Sequence, residues 1–368
     1  MPIAILYRDE IKEYDFGQGH PFQGERFTQF YEFLRKNFPE DDNYRIIEAE
    51  WANDEDLLLI CQKDYINATR EFYRAAYLGL DFPRMFYRFH SGDNVPLGKP
   101  GKLEEAAKLI VGQAKKACDL VLGGEFKKAV SIGGGLHHAK PDYGEGFCLY
   151  NDVAFCGKYL LERHKLQRVL ILDTDAHAGN GTIDYFYNDP RVLLIDLHQD
   201  PRTLYPGIGF ASEIGSGEGE GFTVNIPMPV YAGDDSYKLA FEEIVQPLTE
   251  EFQPQIIVRN GGSDPHFSDG LTSLGLSVEG FRMIGAKTRE IAAVCQGKSI
   301  DLITSGYNRN VLPYAWLALI SGLAGIDIPV EEPEAPPQRF TGDTSLTETK
   351  RVIEEIKSYL KDYWKCLR

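Results

Sequence analysis

Apolar residues recur along this chain in short runs, separated by longer segments in which apolar positions follow a helical period. The runs that predict strands are residues 3–7, 44–50, 129–133, 168–173, 192–198, 223–227, 255–260 and 300–305. Residues 277–296 show the helical pattern. Its apolar stripe comprises Phe281, Ile284, Thr288, Ile291 and Cys295. Strands that alternate with helices predict an α/β fold with one mainly parallel sheet covered on both faces.

The pattern changes near the C-terminus. Prolines and glutamates dominate residues 329–337, which predicts a stiff acidic linker over 329–343. A final helix is expected within 344–368, with Ser345 and Glu348 spaced as a capping box. Because no second core is visible, we expect residues 1–328 to form one domain and the final helix to pack against it.

Composition narrows the classes of function. The 368 residues carry a formal net charge of −16, from 39 Lys and Arg against 55 Asp and Glu. This balance argues against a nucleic-acid partner, which would require a basic patch. No apolar run approaches the length of a membrane span. The six cysteines form no CxxC pair and the N-terminus lacks a signal-peptide pattern, so a cytoplasmic location is expected.

The most informative chemistry follows the apolar run 168–172. Asp173, Asp175 and His177 alternate there, so we expect them on one face of a strand end. Buried carboxylates and an imidazole are costly unless a cation or hydrogen bonds compensate them. Ligands of open α/β sheets bind at this edge. A divalent metal held by Asp and His is the simplest resolution, and an Asx turn that leads into a helix is the alternative.

Three further loops end at the same predicted edge. The glycine-rich residues 133–138 include His137 and His138, which can share a site only in irregular backbone; two histidines in a surface turn are the alternative. Asp264 is a candidate third ligand, since three protein ligands and a water form a catalytic zinc site, although an Asp before Pro is often a turn residue. Tyr307 either donates a hydrogen bond to an oxyanion or packs in the loop.

These motifs together resemble those of the zinc-dependent histone deacetylase family, which includes acetoin-utilisation-type deacetylases and acetylpolyamine amidohydrolases. Gly-Leu-His-His-Ala-Lys, Asp-x-Asp-x-His, Gly-Ser-Asp and Gly-Tyr-Asn occur in family order. The similarity extends from residue 14 to about residue 323. The resemblance implies a single-domain, three-layer αβα fold of the arginase/deacetylase type with an eight-stranded sheet. Residues 1–328 would be its catalytic domain.

The resemblance also implies a metal centre. Asp175, His177 and Asp264 look like the ligands of one zinc ion, with Fe²⁺ as an alternative. Tyr307 matches the residue that binds the developing oxyanion. Arginase-type ureohydrolases share the sheet topology but need two manganese ions and further Asp ligands, and Gly179 and Gly262 stand at those positions. A one-metal site is therefore expected.

The catalytic histidines follow from the same resemblance. His138 looks like the general base that takes a proton from the attacking water. His137 looks like its partner imidazole, oriented by Asp173. Asn180 matches the position that orients His138. Because Asn is not a carboxylate, we expect His138 to be less basic than in family members with Asp there.

The remaining implied residues surround the substrate. The walls and rim of an acyl-lysine channel would be Gly146, Phe147, Tyr205, Leu271 and Asp93, with ordinary loop packing as the alternative. Arg26 resembles the arginine of an inner acetate channel, and a surface arginine of a helix is the alternative.

A monovalent-cation site beside the metal is also implied. Its residues would be Asp173, Asp175, His177, Asp196 and Leu197. Asp196 replaces the serine that is usual there, so it either binds K⁺ or forms a salt bridge.

Three functions remain open on the sequence. Zinc-dependent removal of acetyl or other acyl groups from protein lysines is the first, and deacetylation of acetylpolyamines is the second. Binding of acyl-lysine without catalysis is the third, although it requires an incomplete site. Neither nucleic acid nor a membrane is an expected partner, and the oligomeric state stays open.

Overall fold

Eight strands, all parallel, form one sheet. The computed structural model describes residues 2–38, 43–80, 85–337 and 343–368. The strands are β1 Ile3–Leu6, β2 Tyr44–Ile47, β3 Lys128–Ile132, β4 Val169–Asp173, β5 Val192–Gln199, β6 Thr223–Met228, β7 Ile256–Asn260 and β8 Ser299–Ile303. Their order across the sheet is β2-β1-β3-β8-β7-β4-β5-β6. The predicted fold class is therefore confirmed.

Helices connect the strands and cover the sheet. They are α1 Glu25–Asn37, α2 Asp54–Leu57, α3 Lys63–Tyr77, α4 Phe86–Phe89, α5 Leu103–Leu122, α6 Asp152–Glu162, α7 Asn180–Phe186, α8 Asp234–Ala240, α9 Gln246–Phe252, α10 Val278–Ile291, α11 Leu312–Ala324 and α12 Leu346–Leu360. Every residue of β4, β5 and β7 is buried, as expected for strands covered on both faces. No helix in the described ranges is both long and apolar enough to cross a bilayer.

Element ends differ from the sequence prediction where tertiary contacts decide them. The strand predicted over 44–50 stops at Ile47, at the edge of the sheet. The helix predicted over 277–296 is α10 followed by a 3₁₀ turn, Ala292–Cys295. The Ser277 side chain caps α10 by accepting from the Gly280 N–H, and the whole predicted apolar stripe is buried.

The C-terminal helix α12 packs against β6 and α8. Beyond it, the Trp364 indole N–H donates to the Gly221 carbonyl at 2.7 Å. The predicted capping box is wrong, because the Ser345 hydroxyl donates to the Val230 carbonyl at 2.7 Å and makes no cap bond. Residues 338–342 of the predicted linker lie outside the described residues, and the division into domain and linker stays a prediction.

Sheet order decides where the functional loops meet. Strands β3, β8, β7 and β4 are consecutive neighbours in the sheet. Because they are parallel, their carboxyl ends lie along one stretch of one edge. The four loops singled out by sequence follow these four strands and are therefore adjacent in space.

Candidate active site

Asp175, His177 and Asp264 form a buried cluster at this edge. The His177 Nδ1 atom lies 3.1 Å from Asp175 Oδ1 and 3.0 Å from Asp264 Oδ2. One ligand atom from each residue lies within 4.8 Å of the others, as a metal site requires. The structure thus brings the three predicted ligands together from two strands that are neighbours in the sheet.

The charge of this cluster fits a divalent cation. Burial and the neighbouring Asp175 carboxylate raise the pKa of Asp264 to about 7. A cation among the three donors would remove this repulsion. Carboxylate oxygens and an imidazole nitrogen bind zinc and iron alike, so the donor set fits a metal without selecting one.

Local hydrogen bonds explain how one short segment delivers these side chains. The Asp173 carboxylate accepts from the Asp175 N–H at 3.0 Å, and the Asp175 carboxylate accepts from the His177 N–H at 2.9 Å. These Asx-type bonds turn the chain away from β4, which ends at Asp173. The prediction that all three residues alternate on a strand is therefore wrong, and the Asx turn and the Asp-His-Asp cluster coexist.

His137 is supported by a buried carboxylate. Its Nδ1 lies 2.8 Å from Asp173 Oδ2. The Asn260 amide donates to both Asp173 oxygens, at 3.0 and 2.9 Å. Burial alone would lower the pKa of His137, but Asp173 and Asp175 outweigh burial and raise this pKa to about 9. Asn260 was not identified from the sequence, where it is only the last residue of an apolar run.

His138 has the opposite electrostatic environment. Its Nδ1 lies 2.7 Å from Asn180 Oδ1. Burial, together with the charges of His137 and His177, lowers the pKa of His138. The ring therefore stays neutral and directs Nε2 toward His137 Nε2, 3.1 Å away. The pKa values of these two adjacent histidines are therefore shifted in opposite directions, and their roles as base and partner stay predictions.

Side chains from the start of α6 hold the histidine loop in irregular backbone. The Asn151 amide donates to the His137 carbonyl at 3.0 Å. The buried Asp152 carboxylate accepts from the N–H groups of Gly135 and Leu136, at 2.9 and 2.7 Å. Gly135 has a φ of 130°, which favours glycine. Sequence reasoning missed these roles, because Asn-Asp before a helix is typical of an ordinary cap.

Arg26 lies beneath the tyrosine loop and is only 1% exposed, so the surface alternative is wrong. Its guanidinium donates to the Gly306 carbonyl at 3.0 Å and the Thr304 carbonyl at 3.3 Å. Burial lowers the pKa of Arg26 to about 10. Burial also raises the pKa of Tyr307, so the phenol stays protonated. The Tyr307 N–H donates to Asp269, which fixes the loop.

One cavity of about 220 Å³ joins the predicted channel to the buried cluster. Its lining is Asp93, His138, Gly146, Phe147, His177, Leu204, Tyr205, Leu271 and Tyr307. Tyr205 and Leu271 are about two-fifths exposed and mark the mouth. A Cβ at Gly146 would overlap the His138 ring, so this wall requires glycine. All five predicted substrate-binding residues therefore meet in one place.

Asp196 forms the salt bridge that the sequence left as an alternative. Its Oδ1 lies 2.8 Å from His198 Nδ1, and its Oδ2 accepts from the Gly179 N–H at 2.8 Å. Asp173, the other side chain expected to bind K⁺, carries the bonds to His137 and Asn260. The potassium site stays a prediction.

Known proteins are similar to this chain in sequence and in fold. The family model "Histone deacetylase domain" matches residues 20–323. The "Probable deacetylase" of Archaeoglobus fulgidus is 35% identical over 377 residues, covering 100% of both chains. The acetoin utilization protein AcuC of Bacillus subtilis is 33% identical over 331 residues, covering 88% of this chain and 82% of the relative. The crystal structure of the HDA15 HD domain has a TM-score of 0.82 at 23% identity, covering 100% of this chain and 97% of that chain.

A parallel αβα fold with an Asp-His-Asp cluster and paired histidines at its carboxyl edge defines a class of metal-dependent hydrolases. The chain belongs to the histone deacetylase family, with relatives of the acetoin-utilisation type. It is a deacetylase, a hydrolase that cleaves amide bonds. The family resemblance is thereby confirmed, and the arginase-type alternative is set aside.

Proposed function

We propose that this chain is a zinc-dependent lysine deacetylase, which hydrolyses the side-chain amide of acetylated lysines in proteins. The supporting observation is one cavity. Its lining includes the predicted substrate-binding residues together with His138, His177 and Tyr307. A cavity that reaches His177 of the buried Asp-His-Asp cluster suits a long alkyl chain with an amide at its tip.

Asp175, His177 and Asp264 would hold the zinc ion. When bound, zinc supplies a Lewis acid that polarises the amide carbonyl and lowers the pKa of water. Iron(II) accepts the same ligand types and is the alternative ion.

The two histidines handle the protons. His138 is neutral, and its protonated Nδ1 donates to Asn180, so its Nε2 can accept a proton from the attacking water. The proton then passes from His138 to the leaving amine, which is otherwise a poor leaving group. His137, held cationic by Asp173, supplies positive charge beside the reacting carbonyl.

Tyr307 and the channel walls complete the proposed mechanism. The raised pKa of Tyr307 keeps its hydroxyl protonated, so this group can donate a hydrogen bond to the oxyanion. Phe147 and Tyr205 would flank the alkyl chain and exclude water, and Leu271 and Asp93 complete this lining. Arg26 would line the inner channel through which the acetate product would leave.

A substrate panel with metal counting tests this proposal. Zinc-loaded protein is assayed with acetyl-lysine peptides, acetylpolyamines and longer acyl-lysine peptides. We expect one zinc per chain and the highest kcat/KM with acetyl-lysine peptides. Faster turnover of acetylpolyamines would contradict the substrate class. Binding of acetyl-lysine peptides without turnover, at one zinc per chain, would instead indicate a binding module.

A further inference from the structure

Glu145 lies behind the proposed base and has no role in the mechanism above. Its Oε1 accepts from the Asn180 amide nitrogen at 2.8 Å. Glu145 also lies close enough to Tyr205 that burial, together with the charge of Glu145, raises the pKa of the Tyr205 phenol. Glu145 is 17% exposed and therefore partly shielded from water. One carboxylate thus bonds Asn180, which supports His138, and lies near Tyr205 in the channel wall.

The chemistry of the three groups allows one arrangement. An Asn amide can present either its oxygen or its nitrogen to a neighbour, whereas an ionised carboxylate only accepts hydrogen bonds. Glu145 therefore requires the Asn180 nitrogen on its own side, which directs Asn180 Oδ1 toward His138. An oxygen facing His138 Nδ1 requires a proton on Nδ1 and leaves the lone pair on Nε2.

A lysine lies beside Glu145 and forms an ion pair with it. The Lys140 ammonium lies 3.5 Å from Glu145 Oε1 and 3.3 Å from Asp184 Oδ2. Burial alone would lower the pKa of Lys140, but Asp184 and Glu145 outweigh burial and raise this pKa.

We propose that Glu145 is a positioning residue that fixes the tautomer of His138 through the amide of Asn180. The inference rests on the proposed role of His138 as base and adds a residue to it. The carboxylate expected to be missing when Asn stands at position 180 is present, but one side chain farther away. His137 contacts its carboxylate directly, whereas His138 reaches one through an amide.

Glu145→Ala and Glu145→Gln separate position from charge. Alanine frees the Asn180 amide to rotate, so we expect kcat to fall by about 10–100-fold with zinc content unchanged. Glutamine keeps an oxygen that can accept from Asn180, so we expect it to restore most of the lost kcat. Glu55→Ala is the matched control, because Glu55 is exposed and its partner is Arg163 on the surface.

Nitrogen NMR of ¹⁵N-histidine-labelled, zinc-loaded protein gives a readout independent of turnover. In the wild type we expect His138 with a protonated Nδ1 and an unprotonated Nε2. In Glu145→Ala we expect a mixture of both tautomers, and in Glu145→Gln the wild-type pattern. The His138 signals are assigned by their loss in His138→Gln.

Asn180→Asp provides the sharpest arm of the test. It places two carboxylates face to face, so kcat should fall. In that background Glu145→Gln supplies an amide donor to the new carboxylate and should raise kcat, although it lowers kcat in the wild type. Equal effects of Glu145→Gln in both backgrounds would overturn the inference.

The failure of this inference differs from the failure of the proposed function. Normal wild-type turnover that Glu145→Ala leaves unchanged, with the His138 tautomer unaltered, overturns the positioning role alone. A Glu145-dependent tautomer in a zinc-loaded wild type without turnover overturns the proposed function and supports the positioning contact.

Discussion

Two clusters of buried charged side chains lie near the same strands. They differ in whether their positive and negative charges balance. Arg259 on β7 and Asp301 on β8 are both fully buried and form an ion pair through Arg259 Nε. Asp175, His177 and Asp264 form the other cluster, in which two carboxylates share one imidazole. The first cluster is neutral through its own side chains, whereas the second has two carboxylates for one imidazole and could hold a metal ion. A stabilising ion pair and a functional site thus differ in whether the charge is completed by the protein.

The largest expected effect comes from removing one carboxylate of the unbalanced cluster. Asp264→Asn deletes a ligand, so we expect zinc content to fall from one equivalent toward zero and deacetylation to fall to background. The metal-free variant should be at least as stable as the metal-free wild type, because a like-charge contact is removed. Metal analysis, a peptide assay and thermal unfolding with chelator measure these outcomes. Full activity in Asp264→Asn would contradict the proposed centre.

Much of this comparison was predictable from the sequence. The apolar runs predicted all eight strands, and their parallel arrangement predicted that the loops carrying His138, Asp175, Asp264 and Tyr307 would meet at one edge. Those side chains were recognisable because they are polar residues directly after buried strands, where burial must be compensated.

The supports of the site were not predictable, for a physical reason. Asn260 ends an apolar run, and Glu145 stands in a glycine-rich loop where a solvated side chain is the usual outcome. Asp152 follows an Asn and begins a helix, which suggests a cap. Each acquires its role from a partner far away in sequence, such as Asn180 for Glu145, and no local pattern encodes that pairing.

Breaking the balanced cluster should have the opposite consequence for stability. Asp301→Asn leaves Arg259 buried without a charged partner, so we expect the free energy of unfolding to fall by about 3–5 kcal/mol. Denaturant unfolding of the metal-free proteins compares this variant with Asp264→Asn. The double variant Arg259→Met/Asp301→Leu should recover most of the loss, because no charge remains buried. A loss in Asp264→Asn equal to that in Asp301→Asn would remove the distinction between the clusters.

Tyr307→Phe tests the unbalanced site without touching its charges. Loss of one oxyanion donor should lower kcat by about 10²–10³-fold, with zinc content and peptide binding retained. Single-turnover kinetics and zinc analysis measure this. Arg26 contacts the same loop through the Thr304 and Gly306 carbonyls, so thermal unfolding of Tyr307→Phe must match the wild type before the loss is assigned to the hydroxyl. Unchanged kcat would exclude Tyr307 as the donor.

The smallest predicted effect concerns a buried group that is neutral rather than paired. His90 is fully buried among aromatic rings, with its Nε2 2.9 Å from the Thr69 hydroxyl. Burial lowers its pKa to about 3, whereas the unfolded chain has a histidine pKa of about 6.5. The folded state therefore binds fewer protons, and stability is lost as pH falls below about 6.5 toward the folded pKa.

At pH 5 this loss should reach about 2 kcal/mol relative to pH 7.5, and His90→Gln should not show it. The measurement is the free energy of unfolding of both metal-free proteins at the two pH values, because the other histidines are common to both and cancel in the difference. Burying a neutral histidine without a charged partner thus lowers the free energy of unfolding only at acidic pH. Equal acid sensitivity of the two proteins would contradict this prediction. It would mean that His90 can carry a charge in the folded protein or is reached by water.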